Sequence, residues 1–322
     1  MFNIRYLSLK FTIRFEQDGR LPANKVSAIR GGIGNMLLMG NCMEAGKYQS
    51  GNKNRIDYHV PDSVCEKCGF HEECPVQRIY YHPYRLLPEY VQEKGNTGYL
   101  YECGDERETV HKGDTLSFCM KLFGDVGIHF PSIVQAVYQL GLAGLGTGRL
   151  RFSLVSVVNH RGEPVLSGNN VCLGCIRPDF LSDYISRRLL VHPVGTKAGV
   201  RICFVTPWTQ KYQGKFLEKF HADAFVDAVY RRVYLFHCFE GIAMERKHPF
   251  QKRMHITEQK TGKEEILRYS ATHGKKIHLN GLLGEFVLEE VPDEFLPYLY
   301  AGEFLHVGKN CSMGFGEYHI CF

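Results

Sequence analysis

From Leu7 to Phe15 apolar residues occupy every second position (Leu7, Leu9, Phe11, Ile13, Phe15), with Ser8, Lys10, Thr12 and Arg14 between them. A period of two puts the first set on one face of a half-buried β-strand. After the turn "QDGR" the spacing changes. Val26, Ile29, Ile33 and Leu37 share one helical face, and Pro22 is suited to open that helix. A polar, cysteine-bearing stretch follows, then extended segments around 79–91 and 97–123. "PSIVQAVYQLGLAG" reads as a helix, "GLGTG" as a glycine run, and "RLRFSLVSVV" as a strand.

The second half repeats this order. The strand "GVRICFVT" precedes a helix near 221–240 with Phe225, Val229, Val233 and Phe236 on one face. Strands near 275–279 and 284–290 come next, then the helix "DEFLPYLYAG", a glycine-rich loop and a last strand. Strand–helix–strand–strand–helix–strand is the ferredoxin-like plan. The chain therefore reads as α+β, with two tandem ferredoxin-like (RRM-like) domains. They are expected at 1–192 and 193–322, with a cysteine-rich insertion at about 41–78 in the first. Such sheets serve as platforms for single-stranded RNA.

Composition narrows the class without naming it. At 322 residues, 44% hydrophobic and 23% charged, the chain can bury two modest cores. No apolar run approaches the length of a transmembrane helix, and Arg5, Lys10 and Arg14 interrupt the first stretch, unlike a signal peptide. A cytoplasmic protein with no membrane partner is expected. The net charge of +5 suits an anionic partner. Twelve cysteines without a secretion signal read as reduced thiols, some of them metal ligands.

Near the end stands "LHVGKNCSMGFG", Leu305 to Gly316. A P-loop places its Gly-Lys after the glycine run and then opens a helix. Here Gly308-Lys309 comes first, Gly314 and Gly316 follow, and "EYHICF" reads as a strand. A nucleotide-binding P-loop is excluded. Two readings stay open: a turn that needs φ > 0, or a loop offering backbone N–H groups and Lys309 to phosphates.

Four stretches together resemble one family. "FLHVGKNCSMGFGEYHI" looks like the glycine-rich loop of RAMP C-terminal domains. "FVTPWTQKYQGKF" with "AVYRRVYLF" looks like the strand, loop and arginine-bearing helix that open the second domain. "QLGLAGLGTGRLRFSLVSV" resembles the end of the first domain, and "AIRGGIGNML" its first helix. The chain thus resembles the CRISPR-associated endoribonucleases that process precursor crRNA, the sixth Cas family of the RAMP superfamily. The resemblance implies a metal-independent reaction in which the RNA 2′-OH attacks the adjacent phosphate, helped by general acid–base groups and a cation.

Arg30 matches the family's first-helix arginine, which in relatives lies at the scissile phosphate. The family's histidine shortly after this helix is missing here; His59 and His82 are the catalytic candidates in the right region. His129 and His306, beside the glycine segments, fit packing or RNA positioning better. A site without histidine, on Arg30, Lys47 and Tyr48, also stays open. RNA binding is expected at Gly308, Lys309, Gly314 and Gly316, and at the basic residues Arg231, Arg232, Lys252, Arg253, Lys275 and Lys276.

"CEKCGFHEEC" gives Cys65, Cys68, His71 and Cys74, with Cys42 upstream. Cysteines two residues apart chelate a tetrahedral ion, and a four-ligand site is structural. Family members with a similar insertion favour Cys42, Cys65, Cys68 and Cys74 as zinc ligands, with His71 as a substitute. A competing set joins Cys65 and Cys68 to Cys172 and Cys175 of "CLGC". A thiol redox protein built on "CLGC" lacks the βαβ setting of that motif. The expected partner is CRISPR repeat RNA, within precursor crRNA, with a CRISPR effector complex as a further one. A non-catalytic RAMP subunit binding crRNA is the rival reading.

Overall fold

The structure, a computed structural model, describes residues 2–48, 60, 62–81, 84–88, 98–168, 170–191, 199–250, 253–270 and 275–321. The first sheet begins with β1 (Arg5–Phe15), followed by helix α1 (Val26–Asn41) and a short helix α2 (Pro75–Tyr80). Strands β2 (Tyr99–Glu102) and β3 (Thr115–Phe123), helix α3 (Phe130–Ala143) and strand β4 (Phe152–Asn159) complete the repeat. Two short strands, β5 (Pro164–Ser167) and β6 (Asn170–Val171), extend one edge. The antiparallel order is β2-β3-β1-β4-β5-β6, and Asp179–Phe180 adds to the start of β1. Leu9, Phe11 and Ile13 are fully buried beneath α1 and α3, as the alternation required.

Helix α4 (Leu181–Val191) leads to the second sheet: β7 (Val200–Trp208), α5 (Ala222–Glu240), β8 (His255–Ser270), β9 (Lys275–Glu289), α6 (Leu296–Leu305) and β10 (Tyr318–Cys321). Its order is β8-β9-β7-β10. Counted within each repeat, both sheets run second-third-first-fourth. This is the double ferredoxin-like fold expected from the sequence.

Five details differ from expectation. Helix α1 starts at Val26 with Lys25 at its cap, so Pro22 precedes it. The segment expected to be extended from residue 79 begins inside α2. The two strands expected near 275–279 and 284–290 are one strand, β9. Its partner β8 was not foreseen. It pairs from His255 to Ser270, whereas β9 meets β7 only between Leu282 and Leu288. The rest of the hairpin is an arm projecting beyond the sheet. With no core beneath it, "HITEQKTGKEEILRYS" has no apolar alternation to read. Cys203 and Cys321, on adjacent strands, are disulfide-bonded rather than reduced.

The halves share one core. Tyr6 packs on Phe304 at 4.5 Å between ring centroids, Phe123 on Phe236 at 4.5 Å, and Tyr184 on Phe304 at 4.7 Å. Polar ties run through the same seam. The buried Glu303 carboxylate of α6 accepts from Tyr184 Oη and from Arg188 Nε and Nη2, each at 3.0 Å, and from Ile320 N–H at 3.1 Å. Glu240, ending α5, accepts from the Arg5 backbone N–H and guanidinium, both at 2.8 Å. Such carboxylates are stable inside only because every partner is present.

Glu303→Ala is expected to cost about 1–3 kcal/mol, because it leaves the half-buried Arg188 and Tyr184 without their acceptor. Urea denaturation at neutral pH measures it. Burial pushes this carboxyl up, but hydrogen bonds from His319 and Ile320 N–H, the Arg188 charge and the Tyr184 hydroxyl outweigh it, and the net shift is downward from 4.5. The unfolded chain therefore binds the proton more readily than the folded one. Stability from this group is complete above pH about 4.5 and is lost as pH falls through the folded value. In Glu303→Gln that part of the acid slope disappears.

Candidate active site at the first helix and the glycine loop

Arg30 lies four residues after Val26 on α1, on the flank that meets α2 and β2. Its Nε–H donates to Tyr99 Oη at 2.8 Å, and its guanidinium carbon lies 5.6 Å from the ring centres of both Tyr80 and Tyr99. Tyr80 Oη and Tyr101 Oη are 3.0 Å apart. Strand alternation explains the cluster. Tyr99 and Tyr101 turn toward the helices, while Leu100 and Glu102 face the other side opposite Lys121 and Cys119. Burial, above all, pushes the Tyr80 and Tyr101 phenols up, so they stay neutral. Burial opposes the Arg30 charge, but the phenol oxygens outweigh it and the net shift is upward. The cluster holds a fixed cation.

The glycine loop reaches this helix. A Cβ on Gly314 would lie 3.0 Å from the Tyr101 carbonyl and 3.3 Å from a Val26 methyl. Val26 and Arg30 are one helical turn apart, so the loop of the second half abuts the arginine of the first. Gly308, Gly314 and Gly316 have φ of +92°, +81° and +73°.

The loop does not present Gly314 and Gly316 to solvent. Gly314 and Gly316 are buried. Gly316 N–H donates to Pro207 O at 3.0 Å and Gly314 N–H to Cys311 O at 2.8 Å. Lys309 N–H donates to Thr209 O at 2.8 Å. A Cβ on Gly316 would collide with the Val307 carbonyl. The expectation that Gly314 and Gly316 offer N–H groups to phosphate is corrected: these donors serve the fold. Lys309 is exposed at the loop's rim.

Below the loop lies a charged knot that sequence reading missed. His306 is fully buried at φ +58°, with Nε2 2.9 Å from Glu102 Oε1 and Nδ1 3.2 Å from Phe315 O. Lys121 bonds the same Glu102 oxygen and donates to Phe304 O at 3.0 Å. Burial pushes the Glu102 carboxyl up, but Lys121 and His306 outweigh it and hold it well below the usual range. With both ring nitrogens committed, His306 serves packing, as expected. Only Glu102 hinted at this knot, as an acid ending the aromatic strand "YLYE".

The remaining expected residues divide sharply. His59, His82 and Lys252 lie outside the described residues. Arg231 and Arg253 are exposed. Arg232 is not a surface residue, a correction to the expected basic patch. It is buried, donates to Leu305 O at 3.0 Å, and lies 4.8 Å from the Phe236 ring centre. The zinc set is not assembled either. Among the described residues only Glu102, His306 and Glu317 bring three donor atoms within 4.8 Å of one another. Cys42, Cys65, Cys68 and Cys74 do not, nor does the alternative set with Cys172 and Cys175. Instead His71 Nδ1 is 2.8 Å from Cys65 O. At the Glu102 group the Lys121 ammonium already provides the positive charge. These residues do not fit a structural zinc.

Gly316→Ala is expected to lower the melting temperature by several degrees, since the Val307 carbonyl must shift. Lys309→Ala, at an exposed position, should leave it unchanged within about a degree. Thermal unfolding followed by circular dichroism separates the two. Equal, negligible effects would mean that the loop's tight packing is not needed for the fold.

Comparisons with known proteins agree with this architecture. Residues 4–174 match the AF_1859_N family model, an N-terminal domain, and residues 202–318 match CRISPR-associated endoribonuclease Cas6. No curated protein matches the chain by sequence. Among solved structures, a partial Cas6-RT-Cas1–Cas2 complex superposes at TM-score 0.54 with 11% identity, over 99% of this chain and 46% of that one. A second Cas6-RT-Cas1–Cas2 complex gives the same score over 99% of this chain and 29% of that one. The chain thus spans less than half the length of these relatives. A Cas6 product complex gives 0.52 with 12% identity, over 98% and 99% of the two chains. At such identity these likenesses show the fold. The second half of the chain thus carries a CRISPR-associated endoribonuclease Cas6 domain, preceded by an AF_1859_N domain.

Proposed function

We propose that this chain is an endoribonuclease that binds CRISPR repeat RNA and cuts precursor crRNA at the 3′ side of the repeat stem, without a metal ion. The observation that carries the reading is the Arg30 guanidinium, caged by tyrosines one turn from the glycine loop in a chain that carries a Cas6 domain. A general base takes the proton of the 2′-OH, and the freed oxygen attacks the adjacent phosphorus. The bond to the 5′-oxygen breaks, and a general acid returns a proton to it. The products are a 2′,3′-cyclic phosphate and a 5′-hydroxyl. Arg30 supplies the fixed positive charge that meets the phosphorane. His59 and His82 are the proton-transfer candidates.

Lys309, Arg231 and Arg253, with Lys252 and with Lys275 and Lys276 on the β8–β9 arm, form the proposed backbone-contacting set. Arg232 leaves it. Two of the similar structures are of an assembly of Cas6 with RT, Cas1 and Cas2. We propose an analogous CRISPR complex for this chain, in the cytoplasm, with two domains at 1–192 and 193–322. Among the described residues, no helix is long and apolar enough to cross a membrane.

One observation favours a second reading, a crRNA-binding subunit without activity: the side chains described around Arg30 are tyrosines, with no histidine among them. Incubation with labelled repeat RNA in EDTA separates the two. A single cut with cyclic-phosphate ends is expected, and a 2′-deoxy nucleotide 5′ of the scissile phosphate should abolish cutting but not binding. Arg30→Ala should slow cleavage about 10²–10³-fold. His59→Ala and His82→Ala identify the proton carrier by which one loses activity. Tight binding with no cleavage would overturn the nuclease and leave the binding subunit.

A further inference from the structure

Twelve cysteines stand in the chain, and one pair is arranged for chemistry that RNA cleavage does not use. Cys172 precedes and Cys175 ends a single 3₁₀ turn, Leu173–Cys175, just beyond β6 at the edge of the first sheet. Their sulfurs are 2.8 Å apart. A disulfide needs about 2.05 Å, so closing the bond takes a movement of under an ångström. The Cys172 side is exposed.

The turn is braced on both sides. Cys172 N–H donates to Val165 O at 2.9 Å and Cys175 N–H to Cys172 O at 3.1 Å. The Asn159 amide donates to Cys175 O at 3.1 Å. The sulfurs therefore face each other in the folded chain, and no unfolding is needed to join them. The two positions are not equivalent. The Cys175 S–H, followed by the backbone N–H groups of Cys175 and Gly174, favours the Cys172 thiolate and lowers it. Donation of that same S–H pushes Cys175 up to about 11. The contrast with other thiols is clear: burial pushes Cys103, Cys119 and Cys311 up. The turn is a surface strap outside the Arg30 cluster, with Leu173 71% exposed.

We propose that Cys172 and Cys175 form a reversible disulfide by exchange with low-molecular-weight disulfides, Cys172 being the attacking sulfur. The Cys172 thiolate attacks one sulfur of the small disulfide, forming a mixed disulfide and expelling one thiolate. Cys175 then gives up its proton and attacks the Cys172 sulfur. The mixed bond breaks, the second small thiolate leaves, and the two expelled thiolates take up the two protons. The protein loses two hydrogens and the small disulfide gains them. A pair with one exposed sulfur in so short a loop gives a labile bond, readily reversed by excess thiol. The site is a modification site, without the helix N-terminus that activates dedicated oxidoreductases.

The test is exchange of the full, pre-reduced chain with oxidised glutathione near neutral pH, followed by intact mass and peptide mapping. The expected result is a Cys172–Cys175 linkage with no retained glutathione, formed at least about tenfold faster than the exposed Cys68 reacts. Cys175→Ser should trap one glutathione on Cys172, while Cys172→Ser should leave Cys175 nearly unreacted. Reaction at Cys172 no faster than at Cys68 would overturn the proposal, as would glutathione stably retained on Cys172 in the unaltered chain. Zinc in the purified protein that Cys172→Ser releases would also overturn it, assigning the pair to a metal. None of these outcomes depends on RNA cleavage.

Discussion

Everything at this site depends on how one half of the chain is fixed against the other, and charge does the fixing. A buried carboxylate without partners is too costly to persist, so each must find cations or donors. Here the partners come from across the seam. Glu240 of the second half holds Arg5 of the first, and Glu102 of the first holds His306 of the second. Glu303 holds Arg188 and Tyr184 of the helix between the two sheets. Apolar packing at Tyr6, Phe123 and Phe304 supplies most of the attraction, but apolar contact is non-directional. The ion pairs select one register, and that register brings Gly314 against Val26.

This junction gives the glycine loop a different physical meaning. Its left-handed residues let the chain fold back on the Val307 and Thr209 carbonyls, in space that a Cβ would fill. The loop is thus a backbone-to-backbone wedge. Its Lys309 stays at the rim, while its glycines lock the second half beneath α1. Phosphate contact, if it uses this loop, falls to the exposed lysine rather than to the amides of Gly314 and Gly316.

Much of the fold was legible because each repeat obeys simple periods: two in β1, three to four in α1 and α5. The strand order follows once the βαββαβ plan is recognised in both halves. The β8–β9 arm was not legible, because a hairpin that leaves its sheet has no buried face to impose alternation. Arg30 could be named from its place in the first helix, but its cage could not. Tyr80 is separated from Tyr99 by a long connection, and only the fold joins them. Arg232 shows the limit of charge patterns. Next to Arg231 it looks like half of a basic surface, yet helix geometry sends the two side chains apart, one to solvent and one to the Leu305 carbonyl. The cysteines misled for a similar reason. Spacing of two shows that a pair can chelate, but not that a second pair lies near.

The tyrosine cage bears on the chemistry through what it leaves unaltered. Neutral phenols satisfy the Nε–H of Arg30 and cover its faces without cancelling its charge, as a carboxylate would. In the proposed reaction, the remaining donors of the guanidinium would meet the non-bridging oxygens of the phosphate. Its orientation is set before any ligand arrives, so little ordering remains for binding to supply. A lysine would bring the same charge but neither the fork nor the flat faces that two rings can flank. The seam fixes where the two halves meet, and the cage fixes where the cation stands within that meeting.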